Sequence, residues 1–484
     1  MTLAPSPAPA TGRAPARPGL VLAFLCAVQS MIYLDVTIVN VALPSIQNDL
    51  GMAAGDLQYV VTAYGTLLGG FLLLGGRLAD TLGRRRLLRA GVALFGLASL
   101  AAGLAQDPGL LIAARAAQGF GAALTAPAAL STLTTTFPEG AARNKALGIW
   151  GALAGVASVC GVLAGGLITE GPGWRWVFLI NVPIAAAAVA CAPLLLPAGR
   201  NAAPGRRFDT AGAVTLTAGL LLLIYTLDEA VEAGWWAGRT VGGLAGAAAL
   251  LAAFALIETR AAAPLLPPRV LRLAALRTAN ATTVLLFGAM LTLFFFASLF
   301  MQQVLGYSAL RAGLAYVPLA LTVAFAAGVA SGLVARVPAK AVLLAGSLLA
   351  TGGLLLLARL PVDASYAADV LPAFLVLGAG LGLCFVPLQI AAAHGVGERD
   401  AGVAAGLINT SQEAGGALGL AVVSTLAFSR VADLMPAAGA DPQAQRAALA
   451  SGFHHAFLTG ACFAAAALLL ALVLLPRMAP ARPA

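Results

Sequence analysis

Long apolar runs alternate with short polar segments along almost the whole chain. A helix needs about 20 apolar residues to cross the roughly 30 Å hydrocarbon core of a bilayer, and about fourteen runs reach that length. Their approximate spans are 19–42, 57–76, 87–105, 110–133, 146–169, 175–196, 210–228, 240–258, 279–301, 311–335, 340–358, 368–392, 401–428 and 455–476. The pattern therefore predicts an all-α integral membrane protein.

The connections between these runs differ in charge, and the difference predicts a topology. Every second connection is rich in arginine and lysine, whereas the others carry mainly acids. Basic loops stay on the cytoplasmic side of a membrane. The basic set contains Arg84, Arg85, Arg86, Arg89, Arg143, Lys145, Arg200, Arg206, Arg207, Arg260, Arg269, Arg272, Arg277, Arg336 and Lys340. An even number of crossings then leaves both termini in the cytoplasm.

Composition narrows the classes of function. Hydrophobic residues make up 60% of the chain and charged residues 10%, and the mean hydropathy is +0.93, which is typical of a membrane protein and not of a soluble domain. The net charge is +9, but the basic residues are spread over short loops, so we expect a lipid bilayer and no nucleic acid as partner. The largest predicted loop, 429–454, has room for at most a short surface helix. No catalytic domain is therefore expected outside the membrane.

Cysteine and histidine usage predicts neither a metal site nor another cofactor. The five cysteines lie within apolar segments, and none shows CxxC spacing or a nearby histidine cluster. They are interpreted as small buried side chains.

A weak internal repeat divides the chain. Segments 76–84 (GRLADTLGR) and 332–340 (GLVARVPAK) both begin with glycine and end on a basic residue, as expected for two bundles related by an axis along the membrane normal. Six helices in each bundle leave two inserted central helices. The predicted organisation is a disordered cytoplasmic N-terminus (1–18), an N-terminal six-helix bundle (19–196), the inserted helices (210–258), a C-terminal six-helix bundle (279–476) and a cytoplasmic C-terminus (477–484).

An acid and a base are predicted at similar depth inside the first bundle. Asp35 lies about 22 Å from the cytoplasmic start of helix one at a rise of about 1.5 Å per residue, and Arg115 on helix four reaches a similar level from the outside. Gln118 lies about one turn deeper. Because ionisable groups in hydrocarbon are costly, such a pair marks an ion or substrate pathway. The alternative is a structural ion pair that joins two helices.

A second acid, Glu413, is predicted within helix 13. It is flanked by Gly402, Gly406, Gly415, Gly416 and Gly419, and glycines at such spacing let helices pack closely in lipid. The carboxylate therefore faces protein or a cavity, either as a substrate or second proton site or as a structural hydrogen-bonding group. Gln118 and Asn40 are further candidates for this site.

Two glycine-bearing segments are candidate conformational elements. In the turn after helix two, Gly76 and Gly83 permit close approach and a tight bend, and Asp80 is suited to hold a neighbouring arginine, such as Arg84, or a helix N-terminus. Helix five carries a face of small residues that allows close packing or bending. Its candidate positions are Gly161, Gly165 and Gly166.

Several of these segments together resemble the major facilitator superfamily, and more narrowly its 14-helix drug:proton antiporter branch of multidrug and quaternary-ammonium resistance exporters. The resemblance covers essentially the whole chain. It is carried by LDVTIVNVALP (34–44), GGRLADTLGRRR (75–86), RAAQGFGAA (115–123), WRWVFLINVP (174–183) and GGALGLA (415–421).

The resemblance implies a fold of two six-helix bundles plus two inserted helices and a mechanism of alternating access. By it, Asp35 is the proton-coupling carboxylate and Arg115 its partner in proton transfer. Gly76, Asp80, Gly83 and Arg84 match the cytoplasmic latch motif. Gly161, Gly165 and Gly166 match the antiporter motif, although Val162 stands where the family usually has proline.

The function expected on this basis is proton-driven export of amphipathic drugs or antibiotics across the cell membrane. Two deep acids favour cationic substrates, because a carboxylate in a dry cavity attracts positive charge. A monomer is expected to suffice. The alternative is a dedicated carrier of one endogenous metabolite or self-made antibiotic on the same fold. A membrane-embedded sensor or enzyme needs clustered ligands or a soluble output domain, and the sequence has neither.

Overall fold

The computed structural model describes residues 18–52, 54–138, 140–196, 209–261, 264–397, 400–438 and 441–476. The predicted disordered tails, 1–18 and 477–484, lie outside these residues except for Pro18, which begins the first helix. Part of the predicted basic loop, 197–208, also lies outside them.

Every regular element in the described part of the chain is a helix. Two π-helical turns, at Phe300–Val304 and Tyr366–Val370, interrupt the α-helical pattern. The α-helices are α1 (Pro18–Leu50), α2 (Ala54–Leu82), α3 (Arg84–Gly103), α4 (Pro108–Thr136), α5 (Ala141–Glu170), α6 (Trp176–Leu179), α7 (Asn181–Leu195), α8 (Thr210–Ala233), α9 (Gly238–Arg260), α10 (Pro268–Leu271), α11 (Ala274–Leu299), α12 (Ala309–Ala315), α13 (Val317–Leu333), α14 (Ala339–Leu357), α15 (Leu371–Ala393), α16 (Ala401–Ala438) and α17 (Pro442–Leu474).

Twelve spans within the described residues are long and apolar enough to cross a membrane. Helices α4 and α5, with 29 and 30 residues, are not among the twelve but are long enough to span a bilayer. All fourteen predicted runs thus fall on helices. Twelve of these helices are both long enough and apolar enough to cross a membrane, and the other two, α4 and α5, are long enough.

The predicted loop 429–454 is wrong. Helix α16 continues to Ala438 and α17 already begins at Pro442, so both helices extend well beyond the predicted apolar runs. The segment is rich in alanine, which favours helix. Asp441 caps α17 by accepting a hydrogen bond from the Gln443 N–H at 2.9 Å, and Pro442 occupies the first helical position, where its missing N–H costs nothing. A hydropathy pattern detects the apolar length of a helix and not its polar extension.

The helices pack in two sets, and α8 and α9, which the sequence predicts as an inserted pair, pack at one side of them. In the first set, α1 packs on α5 and α4 packs between α2 and α3; in the second, α11 packs on α16 and α17, and α15 on α13 and α14. The two sets meet where α2 crosses α16 and where α5 crosses α13. Helices α8 and α9 pack on each other, and α8 joins α2 and α16 through an apolar cluster that includes Leu73, Leu216, Leu220 and Val403.

Candidate functional site

Asp35 and Arg115 form an ion pair in the interior of the first helix set. Arg115 Nη1 lies 2.5 Å from Asp35 Oδ2, and the two side chains are 1% and 0% exposed. They come from α1 and α4, which run in opposite directions and bring the two groups to one level. The structure thus joins the acid and the base that the depth argument placed at similar height.

Two amide side chains complete the hydrogen bonding of Asp35. Asp35 Oδ1 accepts from the Gln118 amide at 3.1 Å and from the Asn181 amide at 3.0 Å. The Gln118 amide also donates to Ser99 Oγ at 2.7 Å, and Gln118 Oε1 accepts from Arg115 at 3.0 Å. The carboxylate therefore has direct partners from α4 and α7, as a buried charge requires, and α3 supports Gln118 through Ser99.

Asn181 is a member of the site that the sequence argument missed. It lies in the segment WRWVFLINVP (174–183), which carries part of the family resemblance but was not assigned to the Asp35 site. It begins α7 and is 2% exposed. A lone amide inside an apolar run is the signal that marks it, because a buried polar group needs a partner.

The guanidinium of Arg115 is held from the other side by α2. Its Nε donates to the Val60 carbonyl at 2.9 Å, and its Cζ lies 4.3 Å from the centre of the Tyr64 ring. This arrangement combines a charge-assisted hydrogen bond with a cation–π contact. Arg115 is thereby fixed while its charge is balanced by Asp35.

Glycines of α5 bring that helix close to α1 next to Asp35. A Cβ at Gly161 would lie 2.8 Å from the Thr37 Cβ, and a Cβ at Gly165 would lie 3.1 Å from the Val41 Cβ. A Cβ at Gly166 would meet nothing within 4 Å. Gly161 is thus required by the crossing, Gly165 lies in tight contact there, and α5 runs unbroken through Val162.

Glu413 lies apart from the Asp35 cluster, where α16 faces α2. A Cβ at Gly69 would lie 3.4 Å from the Glu413 Cβ and would overlap Ile224 of α8. Glu413 is partly buried, and it has neither a hydrogen bond nor an ion pair with any residue that the structure describes. Its carboxylate therefore has no cation to balance its charge among the described residues. It lies where α16, α2 and α8 meet.

The other two candidates of the predicted Glu413 site do not join it. Gln118 is 0% exposed and belongs to the Asp35 cluster, because its amide is used by Asp35 and Ser99. Asn40 is exposed, and its amide donates to the Val36 carbonyl of its own helix at 3.0 Å. The structure thus assigns Gln118 to the ion-pair site and leaves Asn40 outside both sites.

Asp80 connects the two helix sets at the end of α2. Its two carboxylate oxygens accept from the N–H groups of Gly402 and Val403, each at 3.0 Å, in the first turn of α16. A carboxylate at this position also interacts favourably with the helix dipole. Arg84 Nη2 lies 3.5 Å from Asp80. Asp80 therefore contacts both of the partners that the sequence suggested, a neighbouring arginine and a helix N-terminus.

The two glycines of this segment have separate roles. A Cβ at Gly76 would overlap the Gly402 carbonyl oxygen, so Gly76 allows α2 and α16 to touch. Gly83 has a φ of +95°, a conformation that favours glycine, and it connects α2 to α3.

A second ion pair at the start of α16 was not predicted. Arg269 Nε donates to Asp400 Oδ2 at 2.9 Å and Arg269 Nη2 donates to Asp400 Oδ1 at 3.0 Å. Hydrogen bonding to Asp400 raises the pKa of Arg269 above its ordinary value. This two-pronged contact ties the segment that follows the inserted helices to the same helix end that Asp80 binds.

A cleft of about 520 Å³ opens beside this helix end. It lies between α4 and α5 of the first set and α15 and α16 of the second, and its lining includes Thr134, Arg143, Gln389, Ala405 and Ile408. Its volume lies within the range of sites that bind drug-sized molecules.

Comparison with known proteins assigns the family. Residues 25–420 match the family model described as Major Facilitator Superfamily. The chain belongs to this superfamily. The resemblance found in the sequence is thus confirmed at the level of the superfamily, together with the all-helical membrane fold.

Two relatives match nearly the whole chain. The puromycin resistance protein pur8 of Streptomyces alboniger is 40% identical over 461 residues, covering 94% of this chain and 90% of its own length. The cephamycin export protein CmcT of Amycolatopsis lactamdurans is 40% identical over 465 residues, covering 96% and 93%.

A solved structure shows the same fold. The human organic anion transporter MFSD10 (TETRAN) superposes with a TM-score of 0.66 at 16% identity, covering 94% of this chain and 99% of its own. As a major facilitator protein, the chain is a multi-pass membrane transporter. The prediction that it is not an enzyme is therefore confirmed.

In this major facilitator protein, the contact between Asp80 and α16 leads to a prediction for local opening. Asp80→Ala removes both acceptors from the first turn of α16, and loss of a helix cap costs about 0.5–2 kcal/mol. We expect the Gly402 and Val403 amides to exchange hydrogen for deuterium about tenfold faster, since 1.4 kcal/mol corresponds to a factor of ten. Peptide-resolved exchange of the purified protein measures this.

The matched control is Asp107→Ala, which removes the cap of α4, where Asp107 Oδ1 accepts from the Leu110 N–H at 2.9 Å. It should speed exchange at the start of α4 and leave α16 unchanged. Unaltered exchange at Gly402 and Val403 in Asp80→Ala would show that the carboxylate does not hold this helix end.

Proposed function

We propose that the protein is a proton-coupled antiporter of the 14-helix branch, which exports amphipathic antibiotics or drugs from the cytoplasm. It acts as a monomer in the cell membrane with both termini in the cytoplasm. The proton is the only coupling ion, and the transporter uses no other cofactor.

The buried pair of Asp35 and Arg115 is the observation that carries this proposal. A carboxylate in a membrane-spanning helix is costly unless it has a function or a partner, and it changes charge when it binds a proton. Every described hydrogen-bond partner of Asp35 is a donor, and Arg115 binds Oδ2. A proton on Oδ2 would therefore neutralise the carboxylate and weaken its contact with Arg115, which connects proton binding to the position of α4.

The cargo is inferred from the relatives and from the cleft. Both relatives are named for antibiotics, one as a resistance protein and the other as an export protein. The cleft between the two helix sets offers room for a compound of that size. Glu413, which has no cation partner among the described residues, supports a preference for cargo that carries a positive charge.

The energy of one proton is sufficient for export of an uncharged cargo. A proton that moves inward through 100 mV yields about 2.3 kcal/mol. At about 1.4 kcal/mol per factor of ten, this supports a cargo gradient of about 50-fold. Exchange of one proton for a monocationic cargo moves no net charge, so the pH gradient alone drives that exchange.

Alternating access would act on the two contacts between the helix sets. On the cytoplasmic side, opening requires Asp80 to leave the first turn of α16. At the α1–α5 crossing, the close contact of Gly161 and Gly165 transmits any movement of α1, which carries Asp35, to α5 and then to α13. The proton site is thereby connected to the second helix set, which moves relative to the first in alternating access.

Uptake into inside-out membrane vesicles tests export. We expect radiolabelled puromycin to accumulate when a proton gradient is imposed and to leak out after addition of a protonophore. Vesicles containing the Asp35→Asn variant at matched abundance should not accumulate it. Accumulation that persists with the protonophore would contradict proton coupling.

A dedicated carrier of one antibiotic is the second candidate, because each of the two relatives is named for a single compound. A panel of puromycin, a cephamycin and the lipophilic cation ethidium separates the two. Transport of several of these compounds favours a multidrug exporter, whereas transport of one compound alone favours the dedicated carrier.

A further inference from the structure

A buried side-chain amide lines the cleft between the two helix sets. Gln389 on α15 belongs to the wall of this cleft and is 5% exposed. Its carboxamide has no hydrogen bond with any residue that the structure describes. Buried polar groups are normally paired, so an unpaired one beside an open cavity indicates a group that binds a molecule in that cavity.

The wall that the first helix set contributes offers a hydrogen-bond acceptor. Thr134 on α4 also lines the cleft, and its hydroxyl donates to the Ser131 carbonyl of the same helix at 3.1 Å. A hydroxyl whose proton is used in this way keeps a lone pair on its oxygen for a further donor. Gln389 offers both an N–H donor and a carbonyl acceptor. A compound that presents a carbonyl oxygen together with an N–H therefore complements the polar groups of both walls.

Most of the other described residues that line the cleft are apolar. They include Leu130, Phe137, Val396, Ala405 and Ile408. Sites for small molecules combine such walls with a few polar groups that fix the orientation of the ligand. The cleft therefore suits an amphipathic compound whose polar part meets Gln389.

The described part of the lining has no acid that would attract a positively charged cargo. Its ionisable residue is Arg143, whose Nε donates to the Phe137 carbonyl at 2.9 Å. Glu413 is not part of the lining. Hydrogen bonding is therefore the selective contact that these residues offer, and it is separate from the charge preference inferred for Glu413.

We propose that Gln389 is a specificity-determining residue that selects cargo with an amide group. The inference rests on the proposed export function and names the substrate class of the same cleft. The Gln389 N–H donates a hydrogen bond to the carbonyl oxygen of the cargo amide. The N–H of the cargo amide finds acceptors in Gln389 Oε1 and Thr134 Oγ1, and the apolar part of the cargo packs on the apolar wall.

Gln389 lies where cargo enters the protein. It is four residues from the end of α15 at Ala393. Thr134 is two residues from the end of α4 at Thr136. At 1.5 Å per residue, the two positions are about 6 and 3 Å inside the helix ends. In the proposed topology these ends face the cytoplasm, so cargo meets Gln389 before it reaches the depth of the Asp35 pair.

The concentration dependence of proton-driven uptake into inside-out vesicles tests the role of Gln389. Gln389→Met has a similar length and removes both hydrogen-bonding atoms. Puromycin and the cephamycins contain amide bonds, and we expect the KM of each one that is transported to rise about fivefold, as loss of a hydrogen bond between neutral groups predicts. The maximal rate at matched abundance should stay within about twofold, because the substitution removes binding and not the proton site.

Ethidium separates recognition of the amide from damage to the cleft, since it has no carbonyl group. Its KM in Gln389→Met should stay within about twofold of the wild-type value. An equal rise of the KM for ethidium and for the antibiotic overturns the inference, because a general disturbance of the cleft affects any cargo. If the wild type does not transport ethidium, the maximal rate for the antibiotic serves the same purpose, and a fall in that rate without a rise in KM overturns the inference.

The control is Gln302→Met in the π-helical turn after α11. Gln302 is exposed, and its amide donates to Ser298 Oγ at 2.8 Å. This substitution should leave every KM unchanged. If Gln389→Met does not accumulate in the membrane, Gln389→Asn replaces it, since asparagine keeps the polarity but withdraws the amide from the cleft. The same rise of the KM for the antibiotic alone is expected, and wild-type KM values in Gln389→Asn would overturn the inference.

Failure of the proposed function gives a different result. If wild-type vesicles accumulate none of puromycin, a cephamycin and ethidium under a proton gradient, the export proposal fails and the role of Gln389 fails with it. If the wild type accumulates ethidium but neither antibiotic, export stands and the preference for amide cargo is overturned. If wild-type uptake of an antibiotic is proton-driven and Gln389→Met has the wild-type KM, only the role of Gln389 is overturned.

Discussion

Arg115→Met is expected to destabilise the protein by about 3–5 kcal/mol and to abolish proton-driven transport. The substitution leaves the Asp35 carboxylate buried without its cation, and Gln118 loses a hydrogen bond at the same time. Methionine has a similar length, so the loss comes from charge and not from a cavity. Thermal unfolding of the detergent-purified protein and uptake into vesicles measure the two effects.

The control for Arg115→Met is an ion pair of similar geometry at the surface. Arg175 Nη1 lies 2.5 Å from Asp49 Oδ2, with side chains 38% and 47% exposed. Hydrogen bonding to Arg175 lowers the pKa of Asp49, but water screens such pairs, and Arg175→Met should lower the unfolding temperature much less than Arg115→Met does. Equal destabilisation by the two substitutions would contradict the account of the buried pair.

The double substitution Asp35→Asn with Arg115→Met separates stability from function. Removing both charges leaves no uncompensated ion, so most of the stability should return. Transport should remain absent, since the proposed proton-coupling carboxylate is gone. Recovery of proton-driven transport in the double variant would show that the pair has only a structural role.

Gly161→Ala is expected to cost about 1–3 kcal/mol and to reduce transport strongly, because it overpacks the crossing of α1 and α5. The new Cβ would lie 2.8 Å from the Thr37 Cβ, closer than two such atoms approach. A change of the Thr37 rotamer does not relieve this contact, since the Cβ is fixed by the backbone. Helix α1 must therefore shift near Asp35.

The same helix provides the control for Gly161→Ala. At Gly166 an added Cβ would meet nothing within 4 Å, and replacing glycine by alanine inside a helix is favourable by about 0.5–1 kcal/mol. Gly166→Ala should therefore be neutral or slightly stabilising. The unfolding temperature and the uptake are measured for both variants. A larger loss of stability or uptake in Gly166→Ala than in Gly161→Ala would contradict the packing that the structure describes.

Local patterns in the sequence were sufficient to predict the helices and the proximity of Asp35 and Arg115. Apolar length located the spans, and the rise per residue put Asp35 and Arg115 at one level. The role of Asp80 as a ligand for a helix N-terminus followed from its position between two glycines. In each case the information lies in the sequence of one segment or in the membrane depths of two residues.

The remaining contacts depend on packing between distant segments. Asn181 binds Asp35 across 146 positions and Arg269 binds Asp400 across 131. These contacts depend on which face of each helix packs against its neighbours. The hydropathy of the sequence does not identify that face. The same reason explains Gln118, which was assigned to the substrate site but packs towards Asp35 and Ser99. Tyr64 was not noticed, since an aromatic residue in an apolar helix is ordinary.

The exchange of a proton on Asp35 for cargo is the central claim, and proton movement in proteoliposomes tests it most directly. Purified protein is reconstituted with a pH-sensitive dye inside, and a puromycin gradient is imposed without an initial pH gradient. The account predicts that puromycin entry drives protons out in wild type. It predicts no proton movement in Asp35→Asn, although puromycin counterflow continues. Proton movement of wild-type size in Asp35→Asn would contradict the claim.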